Sequence, residues 1–370
     1  MRFSSRYIAF FAGLLVIGAL VYYFSQIVAY VIIAWVLSMV GQPLMRFFQT
    51  KIRIGKFRLG PNLSAVLTLL VYFVVVGLLI MLFVPLILEQ ANNLAQVDYT
   101  AIAAALEEPL EHLNEWLTKY GLAEPGVSYE TQLLHALRLE EWFNPGQVGD
   151  LFSTVLSTAG NLLLGIFSIV FITFFFLKEQ GLFTNFLVAV APNKYEQQVT
   201  NAVEDISRLL TRYFGGILLQ MTIITLFVWI GLSILGVKNA LLIGFFAALI
   251  NVIPYLGPII GAVFGVFITI SSNLDLDFYN QMLPLLLKVV AVFAAMQMLD
   301  NFVLQPWIFS NSVLAHPLEI FLVILMGAQI NGIVGMVLAI PAYTVFRVAA
   351  RSFLSEFKIV QKLTGGIGDV

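Results

Sequence analysis

The chain has 370 residues, 60% of them hydrophobic and 11% charged, with a net charge of −2 and no cysteine. A soluble domain is about 45–50% apolar and about 25% charged, so this composition, with a mean hydropathy of +0.94, belongs to a polytopic membrane protein rather than to an ordinary soluble domain. The charge balance and the lack of a basic stripe argue against a nucleic-acid partner, and the missing cysteines rule out disulfides, thiolate metal sites and a thiol nucleophile.

In chain order, Arg2 and Arg6 precede an apolar run, Tyr7–Phe24. It resembles a signal peptide, but no small-residue cleavage site followed by a polar start appears, so it reads as a retained first span. Ile27–Val40, extended to Leu44, is the second span. Gly41–Asn62 then carries Arg46, Lys51, Arg53, Lys56 and Arg58 and no acid. An excess of Lys and Arg marks the cytoplasmic side, so these two spans form a hairpin with the N-terminus inside. Leu63–Leu88 exits. Glu89–Asp150 holds eleven acids against two bases, Lys119 and Arg138, which places it outside. Its apolar residues recur at helical spacing (Ile102, Leu106, Leu110, Leu113, Leu117), so a small external helical domain is expected. The acidity reads as a solvated face, with a lid or an oligomer contact as the alternative.

Leu151–Leu177 returns the chain to a cytoplasmic segment with Lys178, Lys194, Arg208 and Arg212. Within it, Asn193–Tyr213 has a helical apolar stripe and is expected to lie on the membrane, against a partner, or packed as a linker helix. Phe214–Leu235 exits again and Leu283–Val303 returns. The basic tail, with Arg347, Arg351, Lys358 and Lys362, is inside. The expected divisions are residues 1–88, 89–150, 151–213, a transport core at 214–350, and a cytoplasmic tail at 351–370.

Two apolar stretches are interrupted: Asn239–Ile270 by "NVIPYLGPIIG" (Asn251–Gly261), and Leu318–Val348 by "GAQING" (Gly327–Gly332). Parity requires an odd number of crossings between Lys238 outside and Arg347 inside. Both stretches can cross, giving three crossings, or neither can, each then being a re-entrant hairpin. The arms of the first, Asn239–Ile253 and Gly257–Ser271, reach roughly 22 Å each, short of a hydrocarbon core of about 30 Å. Asp275 and Asp277 also favour an outside loop, which suits hairpins. The fold expected is therefore all-α, with about six full spans, two oppositely oriented re-entrant hairpins and a small external helical domain. A span plus a hairpin then occurs twice in opposite orientation, the pattern of an inverted-repeat transporter whose breaks point to the substrate site.

Irregular backbone at membrane depth is tolerated only where it faces protein or a water-filled cavity. Asn251, Gln329 and Asn331 at the two tips are thus candidate ligands, or satisfy carbonyls freed by the breaks. Asp300, with Asn301 and with Gln297 one turn earlier, is an intramembrane carboxylate and by default a functional candidate. It could load a proton or a sodium ion. Arg208 and Arg212 are candidate gating or pairing partners for it, and Gln220 is a polar group within its span. Histidines 112, 135 and 316 are far apart, with no metal-ligand spacing and no catalytic motif among the familiar hydrolase, phosphate-loop or dinucleotide signatures. No metal, no further cofactor and no enzymatic activity are expected.

"NVIPYLGPIIGAV" (Asn251–Val263), "LDNFVLQPWI" (Leu299–Ile308) and "AHPLEIFLVILMGAQINGIVGMVLAIP" (Ala315–Pro341) resemble the autoinducer-2 exporter family, including its permease-like members. The resemblance covers the chain in order. It implies a bacterial inner-membrane secondary transporter with both termini cytoplasmic, forming a homo-oligomer (a pentamer with an elevator-like moving part) and carrying a small-molecule substrate. It also implies that Pro254, Gly257, Pro258, Asp300, Asn301, Pro306 and Pro341 sit at family positions, with Tyr255 inside the same motif. The Trp307–His316 loop departs from the pattern in having no Lys or Arg. The functional expectation is ion-coupled export through alternating access; a passive oligomeric pore and a membrane scaffold are the alternatives.

Overall fold

The computed structural model describes residues 18–19, 22–54, 57–95, 115, 118–120, 159–273, 276–312, 315–358 and 360–361. The expected first span and external acidic domain lie almost wholly outside them. The elements are α1 (Ser25–Lys51), a two-residue strand pair β1 (Arg53–Ile54) and β2 (Phe57–Arg58), α2 (Pro61–Ala95), α3 (Ala159–Lys178) and α4 (Leu182–Val190). A 3₁₀ turn at Asn193–Tyr195 leads into α5 (Glu196–Ile234), followed by α6 (Ala240–Ile250) and α7 (Leu256–Ser271). A π turn at Phe278–Met282 opens α8 (Leu283–Leu299), a second at Asp300–Leu304 leads into α9 (Gln305–Ser312), and α10 is Pro317–Leu354. The strand pair, antiparallel with Arg53 opposite Arg58, is the one departure from helix among the described elements.

Five described stretches are long and apolar enough to cross a membrane: Ser25–Lys51, Pro61–Leu88, Asn193–Ile234, Phe278–Ile308 and Pro317–Leu354. A sixth requires Leu163–Lys178 to be joined with α4 across a 92° bend. The protein is thus an all-α polytopic membrane protein. The expected separate helix at Asn193–Tyr213 and the span at Phe214–Leu235 are one continuous α5 of 39 residues, about 58 Å long at 1.5 Å per residue. Nothing between Tyr213 and Phe214 stops a helix, since neither proline nor a capping residue stands there. Its first half is packed rather than spread on a lipid surface: Ala202, Ile206, Leu209 and Leu210 are buried with Met39 of α1 and Val348 of α10.

The described chain forms two compact units. One takes in residues up to Gly77, α3 to Gly216, and Ile308 onward; the other takes in Leu78 to the end of α2, and Ile217–Trp307. In the first, Met45, Ala65 and Leu177 join α1, α2 and α3, and the Tyr72 hydroxyl donates to the Leu37 carbonyl at 2.8 Å. In the second, Ile224, Val228 and Leu232 of α5 pack with Ile243 and Ala247 of α6, Ile268 of α7, and Val289 and Phe293 of α8.

Both interrupted stretches fold back on themselves. In the first, a Cβ on Gly257 would strike the Ile250 carbonyl, one on Gly261 would meet the Ala247 Cα at 3.2 Å, and one on Gly265 would meet Ile243 at 3.1 Å. The partner number falls as the glycine number rises, so α6 and α7 are antiparallel, joined by a glycine at every fourth residue that lets the backbones touch. In α10 the helical dihedrals fail at Asn331 and Gly332. A Cβ on Gly335 would strike the Gly327 carbonyl oxygen, and the Tyr343 hydroxyl donates to Glu319 at 2.8 Å. In a straight helix residues 327 and 335 would stand about 12 Å apart. α10 is therefore a second hairpin, of arms 317–330 and 333–354.

Candidate functional site

Residues 220, 224, 228 and 232 form one buried stripe of α5, and 289, 293, 296, 300 and 304 form one along α8 and the turn that follows. Each stripe has one polar member, Gln220 in the first and Asp300 in the second. Gln220 is 8% exposed and Asp300 0%. They meet: Gln220 Nε2 donates to Asp300 Oδ1 at 2.5 Å. Asn251, at the end of α6 and 4% exposed, donates through Nδ2 to Asp300 Oδ2 at 3.0 Å. Gln305 Nε2 donates to the same oxygen at 2.7 Å.

The last bond depends on the π turn. In an α-helix residues five apart point about 140° away from each other, and only neighbours at three and four meet. Here the Gln305 N–H bonds to the Asp300 carbonyl, which widens the turn and brings the two side chains toward one another. The widening has a cause in sequence: a proline inside an α-helix clashes with the carbonyl four residues earlier, and Pro306 stands two residues past the turn. The other π turn, Phe278–Met282, also precedes a proline, Pro284, by the same offset. Short π segments are frequent at functional sites.

Asp300 has three neutral amide donors and no Lys, Arg or His ion partner among the described residues. Charge-assisted hydrogen bonds stabilise the carboxylate, yet a buried ion without a countercharge remains costly. Next to it, Asn251 Oδ1 is buried with no hydrogen-bond partner, and so is Gln297 Oε1. Gln297 Nε2 donates to Asn301 Oδ1 at 2.7 Å, and Gln305 reaches the same oxygen at 3.5 Å. The cluster thus offers a carboxylate and unpartnered amide oxygens, which are hard donors suited to a proton or an alkali cation.

The hairpin tip that delivers Asn251 is strained. Tyr255 has φ 69° and ψ −47°, and the Leu256 N–H bonds to the Pro254 carbonyl at 2.9 Å. That is a γ-turn of the rare positive-φ kind. Strain of this sort persists where the surroundings over-determine it. Pro254 and Gly257 are buried in the turn, and Pro258 lies in the first turn of α7, where its missing N–H costs nothing.

Of the residues expected from sequence, Asn251, Gln220 and Asp300 come together, Gln297 and Asn301 adjoin them, and Pro254, Tyr255, Gly257 and Pro258 shape the turn. Gln329 and Asn331 are exposed at the second break and make no side-chain hydrogen bond among the described residues. The side-chain donors to Asp300 are amides, and Arg208 pairs with Asp205 at 2.6 Å. Gln305 is the ligand that spacing missed, because helical neighbours at three and four do not include five. Among the described residues no cluster of three metal-binding side chains occurs.

Residues 8–355 match the family model for AI-2E family transporters. The chain belongs to that family. Among AI-2E relatives, "Putative transport protein YueF" of Bacillus subtilis is 28% identical over 90% of this chain and 85% of its own. "Putative transport protein YrrI" of the same organism is 26% identical over 80% of each chain. "AI-2 transport protein TqsA" of Escherichia coli is 26% identical over 65% of this chain and 64% of its own. Membership makes this AI-2E chain a multi-pass membrane transport protein. All six residues of the Asp300 cluster lie within the matched span.

Proposed function

We propose that the protein is an ion-coupled secondary transporter in which Asp300 is the coupling carboxylate. The observation that carries this is a fully buried Asp300 held by three neutral amides with no countercharge among the described residues. Neutralising such a group removes a penalty of several kcal/mol. A proton or a sodium ion at Asp300 therefore shifts the balance between a buried and a water-facing state of the site. Asn251 Oδ1, buried and unpartnered, supplies a further oxygen to the loaded state. Asn251 also links the carboxylate to the α6–α7 tip, so loading is felt at the break where substrate is expected.

The fuller reading is export of a small polar or amphipathic metabolite or signal by alternating access of an elevator type. It has both α6–α7 and α10 as re-entrant hairpins, a homo-oligomeric assembly such as a pentamer, an inner-membrane location with cytoplasmic termini, no enzymatic activity, and no cofactor beyond the coupling ion. In proteoliposomes the wild-type protein should dissipate an imposed proton or sodium gradient, read with an entrapped ion-sensitive dye. The Asp300→Asn protein should not. Equal dissipation by both removes Asp300 from the mechanism, and single-channel conductance in planar bilayers would favour a pore.

A further inference from the structure

The first unit contains a cavity of about 830 Å³ between α1, the α3–α4 bend and the first half of α5. It contains none of the Asp300 cluster. Three guanidinium groups line it, Arg46 of α1 and Arg208 and Arg212 of α5. Arg208 is occupied by Asp205 at 2.6 Å. The Arg46 guanidinium has no hydrogen-bond or ion-pair partner among the described residues. Of the two acids on the wall, Glu179 pairs with Lys178 at 3.5 Å, and Glu204 is exposed.

Trp35, Met39, Phe176, Leu182 and Phe183 supply the apolar part of its lining. Trp35 stacks on Phe183 with ring centroids 4.3 Å apart. Trp35 and Arg46 are on the same helix, so the aromatic end lies about 16 Å along the axis from the guanidinium end. Arg46 begins the basic stretch that marks the cytoplasmic side, and Trp35 is correspondingly deeper. The cavity therefore grades from cationic at the water-facing end to aromatic within, over about 16 Å, long enough for a phosphate headgroup with its glycerol backbone and the upper part of an acyl chain.

We propose that this cavity binds a phosphate-bearing amphiphile, with the phosphate on Arg46 and the apolar part against Trp35 and Phe183. A guanidinium presents two parallel N–H donors to a phosphate, a geometry that lysine cannot reproduce. Glu204, exposed on the cavity wall, adds a carboxylate that would match an ammonium in the same headgroup. A membrane phospholipid and a soluble phosphate ester share this chemistry.

The test is the unfolding midpoint of the detergent-purified full chain, titrated separately with phosphatidylethanolamine, diacylglycerol and inorganic phosphate. Phosphatidylethanolamine should raise the midpoint and diacylglycerol should not. Arg46→Gln should need about ten-fold more lipid for the same rise, from the loss of charge-assisted hydrogen bonds. Arg46→Lys, which keeps the charge, should fall between. A rise with inorganic phosphate that Arg46→Gln loses assigns the site to a soluble phosphate ester, whereas a rise with the lipid alone assigns it to the bilayer. The proposal is overturned if no phosphate compound raises the midpoint, if diacylglycerol matches the phospholipid, or if either Arg46 variant responds as wild type does.

Discussion

The α6–α7 hairpin and the α10 hairpin share a backbone plan. Each turns apolar helix back on itself, and each brings its arms together through glycines whose Cβ would strike backbone. Their tips differ. The α6–α7 tip ends in Asn251, buried and bonded to Asp300, and runs through a strained Tyr255. The α10 tip turns through Gly332 at φ 51°, with Gln329 and Asn331 exposed. A broken helix is thus a means of close packing in both, and a means of placing a ligand in only one. The polar residue at a break becomes a site residue when a buried ionisable group is within its reach.

That contrast can be broken experimentally, beginning with the shared plan. Gly257→Leu and Gly335→Leu should both abolish the monodisperse folded protein, read by size-exclusion chromatography in detergent, because the new side chain meets backbone rather than a movable side chain. Survival of either variant with wild-type thermal stability would show that its arms are not in contact. Asn251→Ala should lower stability by about 1.5–3 kcal/mol, the range for a hydrogen bond to a charged group, and should depress gradient dissipation in proteoliposomes. Asn331→Ala should change stability by less than about 0.5 kcal/mol, as exposed substitutions do. Equal effects of the two would erase the distinction between the tips.

A smaller effect isolates backbone strain. A Cβ on Gly332 would meet nothing within 4 Å, so Gly332→Ala should cost about 1–2 kcal/mol in thermal unfolding from its dihedrals alone. No cost would mean that the turn relaxes. The gentlest probe should leave stability unchanged. In this cysteine-free chain, single cysteines at Ser272 and Asn311 should label from outside and from the cytoplasm respectively if both hairpins are re-entrant. The opposite pattern marks full crossings.

Much of this was legible in the sequence. Hydropathy located the long helices, and "NVIPYLGPIIG" and "GAQING" located both breaks, since proline and glycine interrupt an apolar run for stated steric reasons. Asp300 stood out because a carboxylate at the end of an apolar span is a functional candidate by default. The continuity of α5 was not legible: a change from amphipathic to wholly apolar pattern looks like a boundary, yet one helix can leave a packed polar environment and enter an apolar one without breaking. Nor was Arg208–Asp205. That pair is local, with the acid three positions earlier on the same helix. Gln305 escaped because its reach depends on a turn one residue wider than the helical rule assumes.

That wider turn makes the acid's placement a matter of chain length. Between Asp300 and Gln305 the helix carries one residue more than α-helical turns would hold. Removing a single residue there would let the segment close into regular α-helix with the amide four positions after the acid, a spacing at which helical side chains meet. Adding one would place the two six apart, on different faces of a regular helix. The site should therefore keep its Gln305 bond on a one-residue deletion at Phe302 or Val303, two exposed positions, and lose it on a one-residue insertion.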